Sequence, residues 1–116
     1  MRIEMDYLRE IMKDIIEYDG TSDISSHDLQ YDGASKEMVA RHVKILIDEG
    51  CLKAIDGSTK DGHAYYCIEP TLKGQQFYDA TKNLGVWHKL KSYFTEHGIE
   101  FTVKAAIAIA AKFIGL

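Results

Sequence analysis

His42, Cys51, His63 and Cys67 are the side chains of this sequence that bring together zinc-type donors, so a tetrahedral metal site is the first chemistry to weigh. Their spacing argues against it. On a strand, His63 and Cys67 stand about four rises of 3.3 Å apart, roughly 13 Å, which is too far to share one ion. No Cys-x-x-Cys or His-x-x-x-His pair occurs. No metal is expected, and His42 and the two thiols read as partly buried groups. Nucleophilic catalysis would need a cysteine beside a base, and only Cys51 or Cys67 with His42 or His63 offer that pairing. The sequence lacks a glycine-rich phosphate loop, a nucleophile elbow and a nucleotide fingerprint, so the expectation is a non-enzymatic chain without a cofactor.

Basic residues offer a different chemistry. Lys36, Arg41 and Lys44 share one helical stretch, with Lys60 in a turn-rich segment beyond it. A helix carrying them into a major groove would aim Arg41 at a guanine edge, while Lys36, Lys44 and Lys60 met phosphates. Ser35 and Ala40 complete the residues expected on the exposed side. Electrostatics restrain this reading, because Glu37, Asp48 and Glu49 offset the three basic residues of the helix. The whole chain has 14 Lys and Arg against 18 Asp and Glu, a net charge of −4. Residues 1–32 hold three basic and nine acidic residues, a balance of −6 that leaves the remainder at +2. Phosphate neutralisation supplies most non-specific affinity, so double-stranded DNA would be bound weakly, or by a dimer.

The elements that position these residues follow from periodicity and punctuation. Met5, Leu8, Ile11, Met12, Ile15 and Ile16 fall on one helical face, and the stretch from Asp19 to Asp23 ends that helix. Residues 24–33, with Ile24, Leu29 and Tyr31 among polar neighbours, suit a short helix and an extended segment equally. Ser35 caps a second long helix that carries Val39, Val43, Leu46 and Ile47 and stops at Gly50. Residues 52–55 and 64–68 flank turn-forming residues 56–62 and predict a β-hairpin, on which one of Tyr65 and Tyr66 must face the core. Pro70 ends the strand and Thr71 caps a short helix with Leu72, Gln76, Phe77 and Ala80. Two further helices are expected, from Val86 to about His97 with Trp87, Leu90 and Phe94 on one face, and from Thr102 onward.

This order predicts an α+β, winged helix-turn-helix-like domain over residues 1–83, its two-stranded β-hairpin serving as the wing. Residues 84–116 form a C-terminal helical extension packed on the same domain. A chain of 116 residues has room for one core. Its opening, Met1-Arg2-Ile3-Glu4-Met5-Asp6, does not resemble a secretory signal, so a reducing cytoplasm without disulfides is expected. The apolar run from Ala105 to Ala111 is too short to span a membrane.

Four stretches together resemble a known family: Met5-Asp6-Tyr7-Leu8-Arg9-Glu10-Ile11, the run from Val39 to Leu52, Leu72-Lys73-Gly74-Gln75-Gln76-Phe77-Tyr78-Asp79-Ala80, and Val86-Trp87-His88-Lys89-Leu90-Lys91. Their marks are a histidine in mid-helix, a Glu-Gly-x-Leu step into the wing, a Leu-x-Gly-x-x-Phe helix and a tryptophan opening the next helix. The chain resembles an uncharacterised family of small phage, prophage and Gram-positive bacterial proteins akin to the YjcQ-like winged-helix proteins. That resemblance implies the fold and a mobile-element origin, and brings no activity or site residue with it. Cys51 departs from the pattern where a small or apolar residue is expected.

A second function competes with DNA binding, that of a protein-interaction module that has lost its groove-reading surface. The last helix is apolar on more than one face. Val103, Ile107, Ala110 and Ile114 would dock inward while Ala105, Ile109 and Phe113 meet a homodimer mate or a host protein, unless the helix is wholly core.

Overall fold

The computed structural model describes residues 3–114. Helix α1 (Met5–Glu17) is followed by a 3-10 turn (Ser26–Asp28), α2 (Lys36–Asp48), β1 (Leu52–Asp56), β2 (Tyr65–Pro70), α3 (Leu72–Thr81), α4 (Leu84–His97) and α5 (Val103–Phe113). The fold is α+β: five helices, and one antiparallel hairpin set as a wing between α2 and α3.

Local chemistry accounts for most boundaries. Hydroxyls of Ser35, Thr71 and Thr102 each accept from a backbone N–H in the first turn of α2, α3 and α5, all at 3.1 Å, satisfying donors that the helix itself leaves free. Helix α2 ends in a Schellman turn. Gly50 takes φ +81° and donates to the Ile47 carbonyl at 3.0 Å, while the Cys51 N–H reaches the Leu46 carbonyl at 2.8 Å. The Glu-Gly-x-Leu step is therefore a helix stop, and Cys51, wholly buried, is the apolar residue that closes it over Leu46. Burial pushes the Cys51 thiol up to about 11. The glycine of Leu-x-Gly-x-x-Phe answers a different need, since a Cβ on Gly74 would lie 2.2 Å from the Cys51 carbonyl oxygen where α3 crosses the start of β1.

Residues 24–33 take both of the expected forms. Only Ser26–Asp28 is helical, as a single 3-10 turn, and its flanks are extended. Long-range bonds decide this, because the Ile68 N–H donates to the Ile24 carbonyl at 2.9 Å and the Tyr65 N–H to Ser26 Oγ at 3.1 Å. In the hairpin, Lys53 opposes Glu69 and Ile55 opposes Tyr66, so β2 carries one extra residue between these pairs. Cys67 sits in this bulge with φ +54°.

One core runs through the chain, joining Leu8, Ile11 and Met12 of α1 with Val39, Val43 and Leu46 of α2, Phe77 of α3, Trp87 and Leu90 of α4, and Val103 of α5. Four side chains point otherwise than their spacing suggests. Ile109, assigned outward with Ala105 and Phe113, is 8% exposed and lies inward beside Val103, Ala106 and Ala110. Ala105 and Phe113 are half-buried, and Ile114, assigned inward, is 47% exposed. On a helix apolar nearly all round, periodicity cannot choose the face, and packing against α3 and α4 does. Ala40 is buried, not exposed, because α2 turns it toward the core between Val39 and Val43. Leu72 lies in solvent, leaving Gly74, Phe77 and Thr81 as the buried residues of α3.

Candidate nucleic-acid interface

Helix α2 divides cleanly. Its buried side holds Val39, Ala40, His42, Val43 and Leu46. His42, in mid-helix, is wholly buried, with Nδ1 against the Met38 carbonyl at 2.7 Å and Nε2 accepting from the Glu4 N–H at 2.9 Å. A carbonyl only accepts, so Nδ1 carries the proton and the neutral ring serves as a cap for the start of α1. It is a tie between helices and offers no free nitrogen for a ligand.

The solvent side of α2 carries Lys36, Arg41 and Lys44, all exposed as expected. Positions 37, 41, 44 and 48 follow one another at helical spacing and pair off within the helix. Arg41 Nε lies 3.1 Å from Glu37 Oε1, and Lys44 Nζ lies 2.7 Å from Asp48 Oδ2. The Asp48 carboxylate raises the affinity of Lys44 for its proton. Lys36 and Lys60 join no ion pair among the described residues.

The wing ends in a tight loop. Thr59 and Gly62 exchange backbone bonds of 2.9 and 3.1 Å, which leaves Lys60 and Asp61 at the tip. This tip folds toward the N-terminal turn of α2, and Arg41 and Lys60 line the same depression together with Glu37, Asp61 and His63. Lys36 lines the adjoining one. Two of the four basic residues chosen from sequence thus line one depression and a third the one beside it, while Lys44 lies further along the helix, turned to its own carboxylate.

Glu37 is the residue that sequence reasoning passed over, counting it only as a first-turn acid and a charge offset. Its carboxylate accepts from His63 Nδ1 at 2.7 Å, from the His63 N–H at 3.0 Å and from Arg41 Nε at 3.1 Å. These bonds, His63 foremost, pull its carboxyl down to about 2. Gly62 packs against it so closely that a Cβ there would lie 2.7 Å from Oε2. No local pattern announces a contact across 26 residues.

The remaining chemical candidates are dispersed. Cys51 is sealed in the core, Cys67 lies in the wing bulge with its thiol raised by burial and by Asp23, and His63 is held by Glu37. Among the described residues, no three His, Cys, Asp or Glu side chains converge on a point that would hold a metal ion, and no helix is long and apolar enough to cross a membrane. The model of a family described as Hypothetical protein (DUF2513) matches residues 2–100. No curated protein and no solved structure matches the chain.

Proposed function

Given that the chain belongs to the DUF2513 family, we propose that it is a non-enzymatic winged helix-turn-helix protein that binds duplex DNA weakly through α2 and the wing tip. One observation carries the reading: Arg41 of α2 and Lys60 of the wing tip, far apart in sequence, line one depression, and Lys36 lines the one adjoining it at the N-terminal turn of α2. In winged-helix proteins that is where a reading helix enters the major groove and the wing meets the flanking backbone. Arg41 is the base-edge reader, and Lys36, Lys44 and Lys60 are the phosphate contacts. Affinity is modest, because Arg41 and Lys44 must leave Glu37 and Asp48 before they bind phosphate. A bacterial cytoplasm and a phage or prophage setting accord with the motif resemblance.

Fluorescence anisotropy with a labelled random-sequence duplex tests this. Binding is expected at about 20 mM salt, with a slope of log K against log salt near −3 for three phosphate contacts. Arg41→Glu is expected to weaken it at least about tenfold. No binding at low salt, or binding unchanged in Arg41→Glu, overturns the reading in favour of a protein partner.

A further inference from the structure

Glu37 occupies a place built for an anion. It stands on the first turn of a 13-residue helix, where unpaired N–H groups and the helix dipole favour negative charge. Three donors converge on it, the Arg41 guanidinium, the His63 ring and the His63 N–H. Lys60 lines the same depression, with Asp61, and Lys36 the adjoining one, and neither lysine joins an ion pair among the described residues. A phosphodiester oxygen would ask for these same donors in this same place.

We propose that Glu37 is an autoinhibitory stand-in for a nucleic-acid phosphate. Its carboxylate draws the wing loop onto α2 through His63 and holds Arg41 against the helix, so the cleft stays closed until a phosphate displaces it. Displacement frees two groups at once, the Arg41 fork and the wing tip with Lys60. The contact suits a removable clamp because Glu37 and Arg41 are both about half exposed, with side-chain exposures of 41% and 46%, so neither is trapped by burial when the pair opens.

This inference rests on the duplex-binding reading, and the experiment separates the two. Glu37→Gln removes the charge from the cleft. Asp48→Asn removes the same charge from the same helix and also releases a basic residue, Lys44, but leaves the wing untouched. Duplex affinity at low salt is expected to rise about tenfold in Glu37→Gln, with a salt slope steeper by about one, and by no more than about threefold in Asp48→Asn. A DNA-independent measurement accompanies this. Tryptic cleavage after Lys60 is expected to speed up at least about fivefold in Glu37→Gln and to stay at the wild-type rate in Asp48→Asn, because only the first variant loosens the wing. Equal gains in affinity, or an unchanged cleavage rate in Glu37→Gln, overturn the clamp while leaving duplex binding standing. Absence of duplex binding in every protein overturns both.

Discussion

Two ionic ties hold this chain together across long sequence separations, and they differ in what surrounds them. At the seam between α1 and α3, the buried Arg9 guanidinium donates to the Thr81 carbonyl at 2.9 Å and the Lys82 carbonyl at 2.7 Å. From α1 to α4, Asp6 accepts from Trp87 Nε1 at 2.7 Å and from Lys91 Nζ at 2.8 Å; burial alone would raise its carboxyl, but these bonds lower it below the ordinary range. At the wing, Glu37 gathers His63 and Arg41 in the open. Arg9 closes the C-terminal end of α3, where carbonyls lack helical partners and a cation is favoured by the dipole. Water can replace little of what the buried Arg9 guanidinium does, so that tie is structural, whereas Asp6 keeps its carboxylate largely in solvent. The wing tie loses little when solvent or another anion takes over its donors. Burial separates a fastening from a latch, although both use the same kind of bond.

Breaking the seam is expected to produce the largest effect. Arg9→Ala removes two charge-assisted bonds, one of them to the buried Thr81 carbonyl, and leaves a gap between α1 and α3, so urea denaturation is expected to show a loss of about 3 kcal/mol. A loss under about 1 kcal/mol would make this tie no stronger than a surface pair and erase the contrast. An intermediate effect, of opposite sign, belongs to the wing. Cys67 holds φ +54°, a conformation costing a side-chain-bearing residue about 1 kcal/mol. Cys67→Gly is expected to stabilise the fold by about that amount in the same denaturation experiment, and a net destabilisation would mean that the thiol's packing outweighs the strain.

The smallest effect sharpens the comparison by pH. Glu37 has a folded-state pKa of about 2 against an ordinary 4.5, so its contribution to stability is fully present above 4.5 and is lost as pH falls toward 2. The stability difference between wild type and Glu37→Gln is therefore expected to shrink through that window, as read by denaturation at stepped pH. A difference that stays constant from pH 6 to pH 2 would show that the carboxylate is no better held in the fold than in the unfolded chain.

Much of the fold was legible along the chain, because the signals are local. Ser35 and Thr71 cap helices by bonding three residues ahead, Gly50 stops α2 by its own backbone freedom, and Trp87, Leu90 and Phe94 line one face at helical spacing. Tyr65 turns inward and Tyr66 outward, as alternation on a strand requires. The cleft was legible only in part. Its basic residues were found by type and exposure, but Glu37 and His63 become partners only when the hairpin folds back.

The sequence alone determined which stretches become the five helices and the hairpin, since those choices are made by side chains bonding to their own neighbours and by apolar residues recurring at a fixed period. Tertiary structure decided the rest. It set which face of the uniformly apolar α5 turned inward at Ile109, it held residues 24–25 extended beside β2, and it converted Arg9 and Glu37 from surface charges into ties. In each case the local sequence offers several conformations or partners of nearly equal energy, and only a group brought in from elsewhere in the chain breaks the balance.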